Sequence, residues 1–109
     1  MTVDNVKKIL EVQLRDDPGS MNDHGITLQR ALVPPEKITI IVRIVRNGKI
    51  KENNEEVWLV GCEPRDGGYR IIMRDDGLQL GLASNGFPHD SFLVFVGWYG
   101  SLVSTFLAM

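Results

Sequence analysis

The residues of this chain best suited to acid–base chemistry are its two histidines and the aspartates beside them. His89 precedes Asp90, and His24 follows Asp23. Neighbours in sequence seldom face each other as a catalytic dyad, so the favoured interpretation is two solvated loop pairs. The alternative is a small enzyme that uses His89, Asp90 and His24 at the rim of a pocket. Two histidines with two aspartates would suffice for a metal ion, but no spacing brings them together, and we predict neither a metal site nor a cofactor.

The single cysteine, Cys62, ends an apolar segment. A catalytic thiol needs a base or a helix N-terminus beside it to favour the thiolate, and the sequence shows no such neighbour, which indicates a structural thiol. The chain also lacks a phosphate-binding glycine loop, a nucleophile elbow and the paired spacing of a zinc site. These observations favour a protein that is not an enzyme. One cysteine excludes an internal disulfide and, without a signal-peptide pattern, favours a cytoplasmic location.

Arginines that alternate with aliphatic residues on predicted strands suggest a different kind of chemistry. A face that carries both is too apolar for full exposure and too charged for a dry core. Arginine is a preferred side chain for pairing across interfaces, so such a face predicts a docking surface, unless the arginine stems simply cover apolar neighbours. The predicted interface residues are Arg30, Ile41, Arg43, Arg70 and Arg74.

The preferred functional hypothesis is therefore a non-catalytic interaction or small-ligand-binding module that uses this mixed face. The partner is expected to be a second copy of the chain, since a two-fold pair is the commonest assembly, or another protein or small molecule. A net charge of -2 and a pI near 5.6 give no electrostatic reason to expect nucleic acid.

The elements that must position these residues are organised around a meander in the second half of the chain. Turn sequences that contain Asp-Gly or Gly-Gly separate short segments rich in β-branched and apolar residues, and turns this short force antiparallel pairing. The three predicted strands cover residues 57–62, 69–74 and 78–83.

The first half of the chain predicts a helix followed by further strands. Apolar residues recur at helical spacing over residues 2–17, and alternation favours strands at 26–33 and 37–46. Asn47-Gly48 is a strong hairpin signal. The strand at 26–33 is predicted to end at Pro34-Pro35. After the hairpin turn, the sequence predicts a short return strand at 49–51 and a polar loop at 52–55.

The C-terminal run, residues 92–109, contains no charge and allows two interpretations. A strand at 92–98 with a helix capped by Ser101 is favoured over one long helix, because Gly97 and Gly100 would each cost ~1 kcal/mol inside a helix. The run approaches the length of a membrane span. Trp98, however, lies mid-run rather than at an interface, so membrane attachment is not favoured.

Together these patterns predict one α+β domain over residues 1–109. Its length lies near the commonest domain size. The predicted architecture is a single antiparallel sheet of five to six strands, with an N-terminal helix and a short C-terminal helix that cover the same face.

Overall fold

The structure, a computed structural model, describes residues 1–16, 27–63, 68–85 and 93–109. It confirms an α+β chain with five strands, an N-terminal helix and a short C-terminal helix. In chain order the elements are α1 (Val3–Asp16), α2 (Leu28–Ala31), β1 (Leu32–Arg46), β2 (Lys49–Cys62), β3 (Arg70–Arg74), β4 (Leu80–Asn85), β5 (Leu93–Gly100) and α3 (Leu102–Leu107).

The five strands follow one another in sequence order and close into a small barrel. Each strand is antiparallel to the next, so the first and fifth point in the same direction. Their closing contact, in which Ile41 is the partner of Val94, is therefore parallel. The prediction of a purely antiparallel sheet is wrong in this respect. Residue alternation specifies which side chains share a face, but not whether the two edge strands meet.

The curved sheet buries apolar side chains on both of its faces. One face packs against both helices, as predicted, and this cluster includes Val6, Leu10, Trp58, Ile71, Met73, Leu82, Leu102 and Phe106. The other face lines the barrel interior with Ile40, Val57, Ile72 and Ala83, against which Ile38, Leu93, Phe95 and Trp98 pack. The second face is thus covered by the curvature of the sheet itself, and for most of its area it needs no partner.

A close approach between β4 and β5 helps to shut the barrel. A Cβ added to Gly81 would overlap the carbonyl oxygen of Gly97 and lie 2.7 Å from the ring of Trp98. Glycine is therefore required at this position for β5 to come so near. The indole of Trp98 also packs on Phe95, with ring centroids 5.0 Å apart.

In the segment that precedes the first hairpin, the observed elements differ from the predicted ones. Residues 28–31 form α2 instead of the predicted strand at 26–33, of which residue 26 lies outside the described residues. Strand β1 then runs through Pro34 and Pro35, which were expected to stop it. The prolines are tolerated because the pairing with β2 shifts between Leu32 and Glu36, where no regular ladder hydrogen bonds are needed.

The polar segment 52–55, predicted as a loop, is strand. It lies in the middle of β2, which is continuous from Lys49 to Cys62. The predicted Asn47-Gly48 turn is confirmed, with φ of 51° and 73° at its two residues. Because β1 offers a partner at every position after this turn, pairing overrides the low strand propensity of the glutamates and asparagines.

The C-terminal run divides as the favoured interpretation predicts, into β5 and α3, so the single long helix is wrong. Ser101 caps α3, and its Oγ accepts a hydrogen bond from the backbone N–H of Ser104 at 3.1 Å. Gln13 of α1 accepts from the N–H of Leu102 at 2.6 Å and links the two helices. In the part of the chain that the structure describes, no helix combines the length and apolar character needed to cross a bilayer.

Candidate functional site

The end of the β1–β2 hairpin projects beyond the barrel. The two strands stay paired up to Arg46 and Lys49, next to the turn. Within the described residues, however, β1 has a partner in β5 only at Ile41, and β2 has partners in β3 only from Val57 onwards. Residues 42–53, called the arm below, therefore pair only with each other, and no other described strand is paired with either edge of this ribbon.

One face of the arm, called the outer face, carries aliphatic residues on either side of an ion pair. Val45 and Ile50 are direct cross-strand partners, and each is 69% exposed. Next along the ribbon, Nε of Arg43 lies 3.5 Å from Oε2 of Glu52. Ile41 follows at the root of the arm, where it is half-buried. The predicted interface residues Ile41 and Arg43 therefore share a face that is open to solvent towards the tip.

The opposite face of the arm is basic near the turn. Arg46 and Lys49 are direct partners, and Lys51 follows Lys49 on the same face. These three residues, called the basic tip below, line a concavity of about 290 Å³ together with Asn47. Among the described residues, the cations that form ion pairs are Lys37, Arg43 and Arg74, so none belongs to the basic tip.

The other predicted interface arginines lie elsewhere. Arg70 and Arg74 lie on the same face of β3 as Ile72, which is fully buried in the barrel interior. The two arginines therefore mark the ends of that interior, where Arg70 is half-buried and Arg74 is exposed. Nη1 of Arg70 donates to the carbonyl of Gly68 at 2.6 Å. Nε of Arg74 lies 3.3 Å from Oδ2 of Asp76 in the following turn. Both arginines therefore have partners only two residues away in the sequence.

Arg30 is exposed on α2, at the opposite end of β1 from the arm. The structure therefore brings Ile41 and Arg43 together and separates them from the three other predicted residues. The expectation of one shared face is wrong because the strand register places Arg70, Ile72 and Arg74 on the face of Ile40, opposite Ile41 and Arg43.

The candidates for acid–base chemistry cannot be placed in this arrangement. His24, His89 and Asp90 lie outside the described residues. Across residues 1–16, 27–63, 68–85 and 93–109, no group of three or more His, Cys, Asp or Glu residues could hold a metal ion. Cys62 is half-buried at the end of β2, opposite Arg70.

A second concave region lies between the helices and the β3–β4 turn. It measures about 500 Å³ and is lined by Gln13, Leu78, Gly100, Ser101 and Val103. None of these side chains is ionisable, and the polar groups of Gln13 and Ser101 already bind the start of α3. The arm therefore offers the stronger concentration of charge and exposed aliphatic surface.

Sequence reasoning did not find the basic tip. Its signal is present, because three cations occupy the positions next to Asn47-Gly48 that alternate onto one face of a hairpin. The predicted loop at 52–55 hid the length of the return strand, and with it the existence of an arm.

Comparison of this chain with protein-family models, with curated proteins and with solved structures found no match. Function is therefore inferred from the contacts and charges of the chain's own residues.

Proposed function

We propose that this protein is a non-catalytic interaction module that forms a two-fold homodimer through the outer face of the arm. The observation that supports this most directly is the exposed pair Val45 and Ile50, each 69% exposed on a ribbon that projects from a closed barrel. Elsewhere the helices cover the outer face of β2, β3 and β4, and closure of the barrel covers the inner face. An aliphatic pair held away from that core contributes little to folding and is available for association.

The sequence of residues along the outer face favours a second copy as the partner. The ion pair of Arg43 and Glu52 lies between Ile41 at the root and the aliphatic pair near the tip. A two-fold axis that runs along the ribbon and passes over this ion pair would place Arg43 of one copy beside Glu52 of the other. The same rotation would place Val45 on the partner's Ile50. Such self-complementarity is what an isologous interface requires, and arginine is enriched in interface cores.

The apolar surface continues sideways from the arm onto the barrel. Ile41 is the strand partner of Val94 in β5. Further along β5, Val96 and Tyr99 are 45% and 40% exposed. Specific interfaces bury on the order of 1,200–2,000 Å² in total, which is more than a two-stranded ribbon supplies by itself. The outer side of β5 provides the additional area.

Sedimentation equilibrium at tens of micromolar tests this proposal. The wild-type chain is expected to be dimeric. The double variant Ile41→Ser/Arg43→Ser should be monomeric with an unchanged circular dichroism spectrum, because both residues are partly exposed and lie outside the buried clusters. A wild-type chain that stays monomeric at this concentration would overturn the proposal.

A charge reversal makes the test specific for the central ion pair. Arg43→Glu should weaken the dimer, and so should Glu52→Arg, because each opposes like charges across the axis. The combined exchange should restore association. Val12→Lys is the control, since Val12 is 57% exposed on α1, away from the arm. If Val12→Lys dissociates the dimer as strongly as Val45→Lys, the outer face is not the interface.

A further inference from the structure

The basic tip contains an electrostatic repulsion that the fold does not require. Arg46 and Lys49 lie directly opposite each other in the pair that closes the hairpin. Like charges in direct cross-strand pairs are destabilising. The Asn47-Gly48 turn needs only its own two residues to adopt positive φ, so a neutral closing pair would serve the hairpin equally well. Lys51, on the same face, adds a third positive charge.

The shape and surroundings of the basic tip suit a bound anion. Its residues surround a concavity of about 290 Å³, near the lower end of the range for small-molecule sites. Lys51 faces Ile44 across the ribbon, and the first carboxylate on this face is Glu55, opposite Ile40 near the barrel. Aliphatic stems therefore form the floor of the concavity while the charged groups reach its rim. No carboxylate of the arm neutralises them there.

We propose that the basic tip is a binding site for a ligand that carries two or more phosphate groups. A guanidinium binds phosphate oxygens through paired hydrogen bonds, and lysine ammonium groups bind phosphate as point charges. Three cations within one small concavity match clustered phosphates better than they match a single carboxylate. A bound ligand of this kind would also remove the repulsion between Arg46 and Lys49.

Two other features define the ligand further. Residues 42–53 contain no aromatic side chain, and binding of single-stranded nucleic acid depends on aromatic stacking. The chemistry therefore favours a polyphosphorylated small molecule or a phospholipid headgroup. The site lies on the opposite face of the arm from the proposed dimer interface, so neither proposal depends on the other.

Isothermal titration calorimetry with inorganic tripolyphosphate tests the site. The wild-type chain should bind about one equivalent, with affinity that falls as ionic strength rises. The variant Arg46→Gln/Lys49→Gln/Lys51→Gln should lose at least about tenfold in affinity, because charge-assisted hydrogen bonds to phosphate are strong. The control Lys7→Gln/Lys8→Gln/Arg15→Gln removes the same charge from exposed positions on α1 and should bind as the wild type does.

Vesicle sedimentation distinguishes the two sources of phosphate. Binding that depends on the basic tip to phosphatidylcholine vesicles containing phosphatidylinositol bisphosphate, and not to phosphatidylcholine alone, would identify a headgroup. Binding of tripolyphosphate without vesicle binding would identify a soluble ligand.

Three results would overturn the inference. The first is an absence of binding to both tripolyphosphate and vesicles, and the second is an equal loss of affinity in the two triple variants, which would indicate net charge alone. The third is binding of an oligothymidine through the basic tip that tripolyphosphate does not compete away, which would identify a nucleic-acid site instead.

Discussion

The barrel and the arm are built from the same two strands but differ in what covers them. In the barrel, β2 lies between β1 and β3, β1 meets β5 at Ile41, and Ile40 is fully buried on the inner face. Five residues further along β1, Val45 is 69% exposed. Both residues are aliphatic and both lie on a regular strand. Ile40 packs in the inner cluster with side chains of the neighbouring strands, whereas Val45 lies on the outer face of the ribbon beyond the β1–β5 contact.

This difference separates residues that the fold needs from residues that it does not. The fully buried apolar residues of the barrel strands belong to one of two clusters. The arm contributes nothing to either cluster, yet it carries an exposed aliphatic pair, an ion pair and three cations within a short ribbon. This contrast is the reason why we propose a functional role for the arm, while the buried clusters assign stability to the barrel and its helices.

The largest expected effect tests the stability half of this comparison. Phe106 is fully buried between α3 and the sheet, so Phe106→Ala should lower the free energy of unfolding by about 3–5 kcal/mol, from lost transfer energy and the cavity that remains. Urea denaturation followed by circular dichroism measures it. Leu107, the next residue, is 54% exposed, and Leu107→Ala should change stability by less than about 0.5 kcal/mol.

A truncation in the arm measures how much an exposed aliphatic side chain contributes to the free energy of unfolding. Ile50→Ala removes a large aliphatic side chain from the ribbon and should also cost less than about 0.5 kcal/mol when measured at a protein concentration too low for association. A loss of stability comparable to that of Phe106→Ala would show that the arm belongs to the folding core. It would contradict the inference that the barrel and helices provide the stability of the chain.

A smaller effect is expected where the barrel closes. Gly81→Ala adds a methyl group that would overlap the backbone of Gly97, which cannot move aside as a flexible side chain could. We expect a loss of roughly 1–3 kcal/mol from overpacking, measured by the same denaturation. Ser84→Ala, on the same strand but half-buried, is the control. Equal stability of the two variants would mean that β4 and β5 do not approach so closely.

The smallest effect has the opposite sign and lies in the arm. Lys49→Glu replaces the repulsion with Arg46 by an attraction and should raise stability by about 0.2–1 kcal/mol, seen as a higher melting temperature without ligand. Lys49→Gln should fall between this variant and the wild type. The same Lys49→Glu change should abolish tripolyphosphate binding. A gain in stability together with a loss of binding is expected where a residue is kept for function. A lower melting temperature would show that the two cations do not repel in the folded chain.

Local signals in the sequence predicted the elements whose structure depends on their own residues. Asn47-Gly48 makes a tight turn because both residues adopt positive φ, and Ser101 begins α3 because its side chain satisfies a backbone donor. The meander strands are likewise set by short turns and by alternation. These features need no information from distant parts of the chain.

Features that depend on distant partners could not be predicted in this way. Residues 52–55 form strand because β1 lies opposite them, and β1 continues through two prolines because a shift in pairing accommodates them. For the same reason Ile41 and Arg43 share a face that Arg70 and Arg74 do not. The register of β2 with β1 and with β3 decides this, and alternation within one strand does not specify it.

The odd number of strands also affects the order in which the chain can assemble. The β1–β2 hairpin closes across two residues, and every later antiparallel neighbour adds to an edge that already exists. The parallel seam between Ile41 and Val94 instead joins positions that are far apart in the sequence. Contacts of this range are slow to form because the intervening chain must first be ordered. During synthesis the hairpin can therefore form early, while the barrel stays open until β5 has left the ribosome.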